Sequence, residues 1–323
     1  MFALAPSPLA TPFARAVAEG FTLEQKSISA SWLYDELGSA LFEAITLLPE
    51  YGLTRADSAL LERASREIVT SADAPGLIVE LGSGTGTKTR HILEAAAHQS
   101  LVEYIPIDIS RTALEACTAS LKSIRGVTIR PVEATYLEGI ESALAHRPTG
   151  QRALILFLGS TIGNFAMPEA KAFLHGIRQR MRIGDSLLLG ADLVKDRKRL
   201  LDAYDDALGV TAAFNLNLLT RINRELDGTF PIRRFAHEAR YNERGSRIEM
   251  HLRSRISQTV RIDVLDLDVN FRKGETIWTE SSHKFEPDGI RRLGENAGWH
   301  PLRQWIDSDW GFAETLFTAN GSL

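Results

Sequence analysis

LIVELGSGTGTKTR, residues 77–90, joins two patterns that belong to different secondary structures. Residues 77–81 form a short apolar run that reads as a buried strand. Gly82, Gly84 and Gly86 make a tight turn, and KTRHILEAAA (88–97) has the spacing of a helix. A glycine at such a turn lets the backbone bend sharply and meet a ligand with no Cβ in the way. Outward from this unit the rhythm repeats. VEYIPIDI (102–109), VTIRPVEA (127–134), LILFLGST (154–161) and SLLLGADLV (186–194) predict four more strands, while TALEACTASLKSI (112–124) and PEAKAFLHGIRQRM (168–181) predict helices. Strand and helix alternating at this spacing imply an α/β fold with a doubly wound, mostly parallel sheet and right-handed crossovers.

The flanks follow other rules. SWLYDELGSALFEAITLLPEY (31–51) carries Leu33, Leu37, Leu41, Ile45 and Leu48 at helical spacing and predicts a helix ending near Pro49. Thr54 followed by Asp57 resembles a capping box opening a second helix through Leu60, Leu61, Ala64 and Ile68. From Lys195 a mostly helical region runs to about Leu226, followed by segments of period two. RIEMHLRS (247–254) puts Ile248, Met250 and Leu252 on one face. The alternation slips phase between Val264 and Leu265, which predicts a bulge or break. DGIRRLGENAG (288–298) returns to helix, and the tail should rejoin the sheet. The expected organisation is one domain from residues 56–194 and 285–323, and a discontinuous α+β lobe from 10–55 and 195–284. The first twenty residues, broken by Pro6, Pro8 and Pro12, read as a loose arm, with residues 1–9 outside both domains.

Composition narrows the function. With 323 residues, 44% of them hydrophobic, the chain can bury a large core, and a net charge of −4 gives no pull toward nucleic acid. The arginines between Arg221 and Arg261 are interrupted by Glu225, Asp227, Glu238, Glu243 and Glu249, and KDRKR (195–199) is followed by Asp202, Asp205 and Asp206, so both read as paired surface faces. Cys117 is the single cysteine, which excludes an internal disulfide and fits a reducing compartment. No apolar run approaches the roughly 20 residues that span a bilayer. The eight histidines lack ligand spacing, so no metal is expected. A soluble, cytoplasmic monomer acting on a small molecule is the expectation.

Asp108 ends the second strand 24 residues past Gly84, where a carboxylate can accept both hydroxyls of an adenosine ribose. The dinucleotide fingerprint G-x-G-x-x-G would need glycine at position 87, which holds Thr87. The form present, Glu80-Leu-Gly82-Ser-Gly84-Thr-Gly86, is instead the pattern of S-adenosylmethionine enzymes.

Longer segments carry a more specific resemblance: LYDELGSALFEAITLLPEY, ELGSGTGTKTR, FLGSTIGN, LLLGADLVKDRKRLLDAYDDALGVTAAFN, INRELD, RIEM and TESSHKF. Over about residues 30–290 the chain resembles the histidine-specific Nα-methyltransferases of ergothioneine biosynthesis. These form hercynine, the trimethyl betaine of histidine, from three S-adenosylmethionine molecules. The resemblance implies a Rossmann-like methyltransferase domain with a second domain that closes over the amino acid. It implies cofactor roles for Tyr34, Gly82, Gly84, Lys88 and Asp108. Ala134-Thr135-Tyr136 stands where the family has a Gly-Asp-aromatic step at the adenine, without the carboxylate. Asn164 and Tyr204 match residues that hold the amino acid's main-chain groups, with the Gly159 backbone beside them. Tyr51, Glu280 and Ser282 match those that read the imidazole, and Met250 matches one that packs on the ring. Tyr51 and Asn164 are the residues implied closest to the transfer. Tyr51-Gly52 replaces the two tyrosines frequent in the family.

The residue types suit that chemistry. Glu280 and Ser282 are two apart on a period-two segment and share one face. A carboxylate beside a hydroxyl can serve both nitrogens of a neutral imidazole, and such a site rejects ligands that would leave its buried polar atoms unpaired. A thioether such as Met250 adapts well against an aromatic ring. Two alternatives stand: methylation of another amino acid or imidazole metabolite, and a non-catalytic sensor of the cofactor or of histidine.

Overall fold

The computed structural model describes residues 11–321. They form two compact units, each built from two stretches of chain. One takes in the chain up to Gly52 with Lys195–Ser282; the other, the sheet unit, takes in Leu53–Val194 with the chain from His283. The arm expected over residues 1–9 lies outside the described residues.

The loose arm expected over the first twenty residues is corrected at its second half, where α1 spans Pro12–Thr22. Thr11 caps it, its hydroxyl accepting from Ala14 N at 3.1 Å, and Pro12 sits in the first turn. Proline there costs nothing, because that N–H has no intrahelical partner anyway, so a residue read as a breaker is a helix start. The helix expected from Leu33 also starts later. Residues 30–33 make a 3₁₀ turn, and α2 spans Glu36–Thr46 behind Asp35, whose carboxylate accepts from Gly38 N at 2.8 Å.

In the sheet unit α3 (Leu53–Ser71) begins one residue before Thr54. Thr54 is therefore inside the first turn and cannot cap it, and the capping box expected with Asp57 does not form. There follow β1 (Leu77–Leu81), α4 (Arg90–Ala97), β2 (Val102–Asp108) and α5 (Arg111–Leu121). The third expected strand is split by Pro131 into β3 (Val127–Ile129) and β4 (Val132–Glu133), since proline cannot donate to a ladder. Next come α6 (Tyr136–Leu144), which the sequence reading missed, then β5 (Ala153–Phe157), α7 (Met167–Arg180) and β6 (Ser186–Asp192).

The other unit resumes with α8 (Arg197–Tyr204), α9 (Val210–Leu226), β7 (Phe235–Asn242) and β8 (Arg247–Ser254). β9 (Gln258–Ile262) and β10 (Leu267–Phe271) pair antiparallel, and the phase slip at Val264 is the turn between them, where Asp266 adopts φ +48°. β11 (Thr276–His283) lies beside β8 in a three-stranded sheet of order β11-β8-β7. The chain ends in the sheet unit with α10 (Pro287–Glu295), β12 (His300–Asp307) and β13 (Phe312–Thr318).

The sheet order is β12-β13-β6-β5-β1-β2-β3, with β4 also on β2. Pairs among β1 to β6 are parallel; β13 joins β6 antiparallel, as does β12 on β13. Helices cover both faces, so the strands are buried on both. In β1, Val79 and Leu81 enter one core with Ile105, Ile155 and Phe157, while Ile78 enters the opposite core with Tyr104, Leu154 and Leu188. This is why LIVEL has no polar alternation. The order reverses at β1: β2 lies on one side and β5 on the other, so the loops leaving β1 and β5 open the crevice where such folds take ligands.

Candidate active site

The turn after β1 is held from both sides. Gly82 and Ser83 donate their backbone N–H groups to Ile107 O at 2.8 and 3.4 Å, and Gly82, Gly84 and Gly86 all have positive φ, between +51° and +71°. Gly86 is required by packing too, because a Cβ there would lie 2.6 Å from Cys117 Sγ. At Gly84 a Cβ would meet nothing within 4 Å, so the turn faces open space. Asp108, at the end of β2, accepts from Gly84 N at 3.3 Å and Ser110 N at 2.9 Å. Its carboxyl is raised above the usual range by burial, against the lowering effect of the backbone donors at Ser110, Gly84 and Ile109.

Behind the turn, Glu80 is buried and accepts from Thr89 Oγ1 at 2.7 Å and from the Tyr104 hydroxyl. Burial outweighs both donors and pushes its carboxyl up to about 7. Tyr136 lies over the turn, its hydroxyl 3.3 Å from where a Gly82 Cβ would sit, and its ring packs on Phe157 and Phe173. Burial pushes that phenol up to about 12. Thr135 precedes α6 and donates its hydroxyl to Glu138 Oε2 at 2.5 Å, so a carboxylate missing at position 135 stands one turn further on.

The loop leaving β5 carries two further expected residues. Gly159 has φ +70°, and its N–H donates to Asp57 Oδ2 at 3.0 Å. Asp57 also takes the Lys88 ammonium. Asn164 ends a 3₁₀ turn over Thr161–Asn164. Gly163 O in that turn accepts from His283 Nδ1 at 2.9 Å, and a Cβ on Gly163 would come 2.9 Å from His283 O. Thus Gly82, Gly84, Lys88, Asp108, Thr135, Tyr136, Gly159 and Asn164 share the sheet unit.

Tyr34, Tyr51, Tyr204, Met250, Glu280 and Ser282 belong to the other unit. There the structure links the three tyrosines through aromatic edges. Tyr34 meets Phe42 and Phe214 edge-on, each at 5.4 Å between centroids; Phe42 meets Tyr51 at 6.3 Å, and Tyr51 meets Tyr204 at 6.1 Å. The Tyr204 hydroxyl donates to Ser282 Oγ at 2.7 Å. On β11, Glu280 is half-buried and Ser282 buried, and Trp278 Nε1 donates to Glu280 O at 2.9 Å. Met250 is buried on β8, and its carbonyl accepts from Thr279 Oγ1 at 3.0 Å.

Sequence reasoning missed Phe42, Phe214, Asp57 and His237. The first two looked like core filler at helical spacing, and Asp57 like a cap. His237 Nε2 lies 2.7 Å from Tyr204 O and Nδ1 lies 2.9 Å from Asn215 Nδ2, which assigns the proton to Nε2. Among the described residues no group of histidine, cysteine or carboxylate side chains could hold a metal, and no helix is long and apolar enough to cross a membrane.

The model of the histidine-specific, S-adenosylmethionine-dependent methyltransferases matches residues 13–319. A histidine N-alpha-methyltransferase of Mycobacterium tuberculosis is 45% identical over 94% of this chain and 93% of its own length. Its namesake in Mycolicibacterium smegmatis is 42% identical over 97% of both chains. The ergothioneine biosynthesis protein 1 of Neurospora crassa is 31% identical over 84% of this chain, which spans 31% of that longer protein. The chain belongs to the family of histidine-specific methyltransferases that use S-adenosylmethionine.

Proposed function

We propose that this protein methylates the α-amino group of L-histidine in three successive steps, giving the trimethyl betaine that feeds ergothioneine biosynthesis. The observation that best supports the choice of substrate is the hydrogen bond from Tyr204 to Ser282, two residues along β11 from Glu280. A hydroxyl held by a partner and a neighbouring carboxylate on the same strand face are the pair an imidazole needs.

The residues at the β1 turn suit the cofactor. The turn opens onto free space at Gly84, and Asp108 keeps acceptor capacity beyond its backbone donors for a pair of ribose hydroxyls. Gly82 and Tyr136 line the adenosine side, Thr135 with Glu138 offers an acceptor for an adenine amino group, and Lys88 and Tyr34 serve the amino-acid end. S-adenosylmethionine supplies a methyl group on a sulfonium, already activated for in-line displacement.

The protein's part is position and deprotonation. We assign Asn164, Tyr204 and the Gly159 backbone to the carboxylate and amine of histidine, Met250 to the face of the ring, and Glu280 and Ser282 to the two ring nitrogens. Tyr51 orients the amine and passes each departing proton to water, since an ammonium has no lone pair to offer. One chain carries both residue sets, which fits a monomer, and a free amino acid and S-adenosylmethionine are both substrates of the cytoplasm.

The test is mass spectrometry of products from the purified protein, S-adenosylmethionine and the twenty amino acids. Histidine alone should gain three methyl groups. In competition assays Glu280→Ala should lower the preference for histidine by about tenfold to a hundredfold, in the range of one charged hydrogen bond. Methylation of a different amino acid would overturn the reading of Glu280 and Ser282.

A further inference from the structure

Near the β1 turn three ionisable side chains lie together, two of them fully buried. Asp57, on α3, is fully buried, and so is Glu314 on β13. Lys88 keeps 24% of its side chain exposed. Asp57 Oδ2 takes both the Lys88 ammonium and the Gly159 N–H, the latter at 3.0 Å. Asp57 Oδ1 and both Glu314 oxygens are buried with no well-formed hydrogen bond. Room for the Glu314 carboxyl exists because β6 has glycine opposite it: a Cβ on Gly190 would lie 2.6 Å from Glu314 Oε1. The Lys88 ammonium lies 3.0 Å from where a Gly159 Cβ would sit, at the mouth of the loops leaving β1 and β5.

A buried carboxyl pair of this kind does little for stability by itself, since each group is taken out of water. It does constrain the lysine. A free lysine is a mobile point charge on a four-carbon stem, whereas one anchored to a buried carboxylate has one donor fixed and two left for a ligand. We propose that Asp57 and Glu314 are positioning residues that hold the Lys88 ammonium beside Gly159, ready for the carboxylate at the amino-acid end of S-adenosylmethionine. The inference rests on the reading of Lys88 as a cofactor residue.

The charges agree. The groups that face Lys88 are Asp57 from α3, Glu80 from β1 and Glu314 from β13. Burial first, and the Asp57 charge second, push the Glu314 carboxyl well above its usual range, so it stays neutral and adds no negative charge to repel an incoming carboxylate.

Two ligands separate positioning from mere structural support: S-adenosylhomocysteine, which has the amino-acid end, and 5′-methylthioadenosine, which lacks it. Calorimetry of both on the full chain is the experiment, with the double variant Asp57→Asn/Glu314→Gln, so that neither carboxyl can replace the other. The double variant should bind S-adenosylhomocysteine at least about tenfold more weakly and methylthioadenosine within about twofold of the parent, as for the loss of one oriented charge contact. Equal weakening of both ligands, or of neither, overturns the proposal. Lys88→Met is the control. If it too fails to separate the two ligands, the reading of Lys88 falls and takes the inference with it.

Should the double variant not fold, Glu314→Gln alone keeps the size and neutrality of the native group. In the parent, S-adenosylhomocysteine should lose affinity relative to methylthioadenosine once pH rises far enough above the usual carboxylate range to ionise Glu314, and in the variant it should not. Parallel slopes in the two proteins overturn the proposal.

Discussion

The sheet unit and the other unit assemble their candidate residues from opposite materials. Around the β1 turn the working parts are backbone and buried charge: three glycines at positive φ, Asp108, and the Asp57, Lys88, Glu80 and Glu314 set held in an apolar interior. In the other unit they are mostly neutral rings and hydroxyls, with Tyr34, Phe42, Tyr51 and Tyr204 meeting edge to edge, Ser282 at the end of the row and one carboxylate, Glu280, two residues before it on β11. Charge in a low dielectric is strong, directional and sensitive to pH, whereas a ring wall selects by shape and by a few neutral hydrogen bonds. The first suits a charged ligand common to many enzymes. The second suits discrimination among amino acids.

The sharpest break of this contrast is at Asp108. If Asp108 holds the ribose as proposed, Asp108→Ala removes two charge-assisted bonds, and at roughly 2 kcal/mol each the affinity for S-adenosylhomocysteine should fall by on the order of 10³. Calorimetry measures it. Asp108→Asn should recover part of the loss, because the amide oxygen still accepts from one of Gly84 N and Ser110 N, which bond different oxygens of the native carboxylate. A variant whose preference among amino acids changed as much as its cofactor affinity would show that the two sets of residues do not act separately.

How each region could be read from the sequence follows from the same difference. The glycine turn was legible because its requirements are local: a strand, a turn and a helix in fourteen consecutive residues, with Asp108 at the next strand end. The ring row was not legible from pattern alone. Phe42 and Phe214 are 172 positions apart, and each has the helical spacing of ordinary core; only the family resemblance singled out Tyr51, Tyr204, Glu280 and Ser282. Asp57 shows the reverse error. Its local context, three residues after Thr54, fits a capping box, but a tertiary partner outbids it, since Lys88 is 31 residues away. Pro12 and Pro131 make the same point about backbone: one starts a helix and the other splits a strand, and only position within the element decides which.

Buried charge makes a second prediction, about stability. Glu80 has its folded-state pKa raised from 4.5 to about 7. The unfolded chain releases that proton first as pH rises, so this group's contribution is fully present below pH 4.5 and is lost as pH climbs to about 7. At 1.36 kcal/mol per unit the loss is about 3 kcal/mol. Glu80→Gln cannot ionise, and its stability should gain on the parent across that window and run parallel above it. Urea unfolding at a series of pH values tests this; a gap between the two proteins that stays constant through the window would place Glu80 in the ionised form at all of them.

The neutral region should respond less, and in a different quantity. Tyr204→Phe removes the donor to Ser282 and leaves the ring, with its edge contact to Tyr51, in place. The backbone at Tyr204 should not move, because its carbonyl is held by His237 Nε2 at 2.7 Å and His237 is fixed in turn by Asn215. Burial lowers the His237 pKa, so the neutral tautomer that makes this bond persists across the working range. One neutral hydrogen bond is worth about 1 kcal/mol, so KM for histidine should rise about fivefold while S-adenosylhomocysteine affinity stays within about twofold. Ser282→Ala should cost a similar amount, and the two changes together should cost less than the sum of the two, because both delete the shared bond while each also removes its own contact to the amino acid. Fully additive losses would mean that the bond between Tyr204 and Ser282 contributes nothing to binding, and the hydroxyl pair would then lose its standing as the feature that selects the ring.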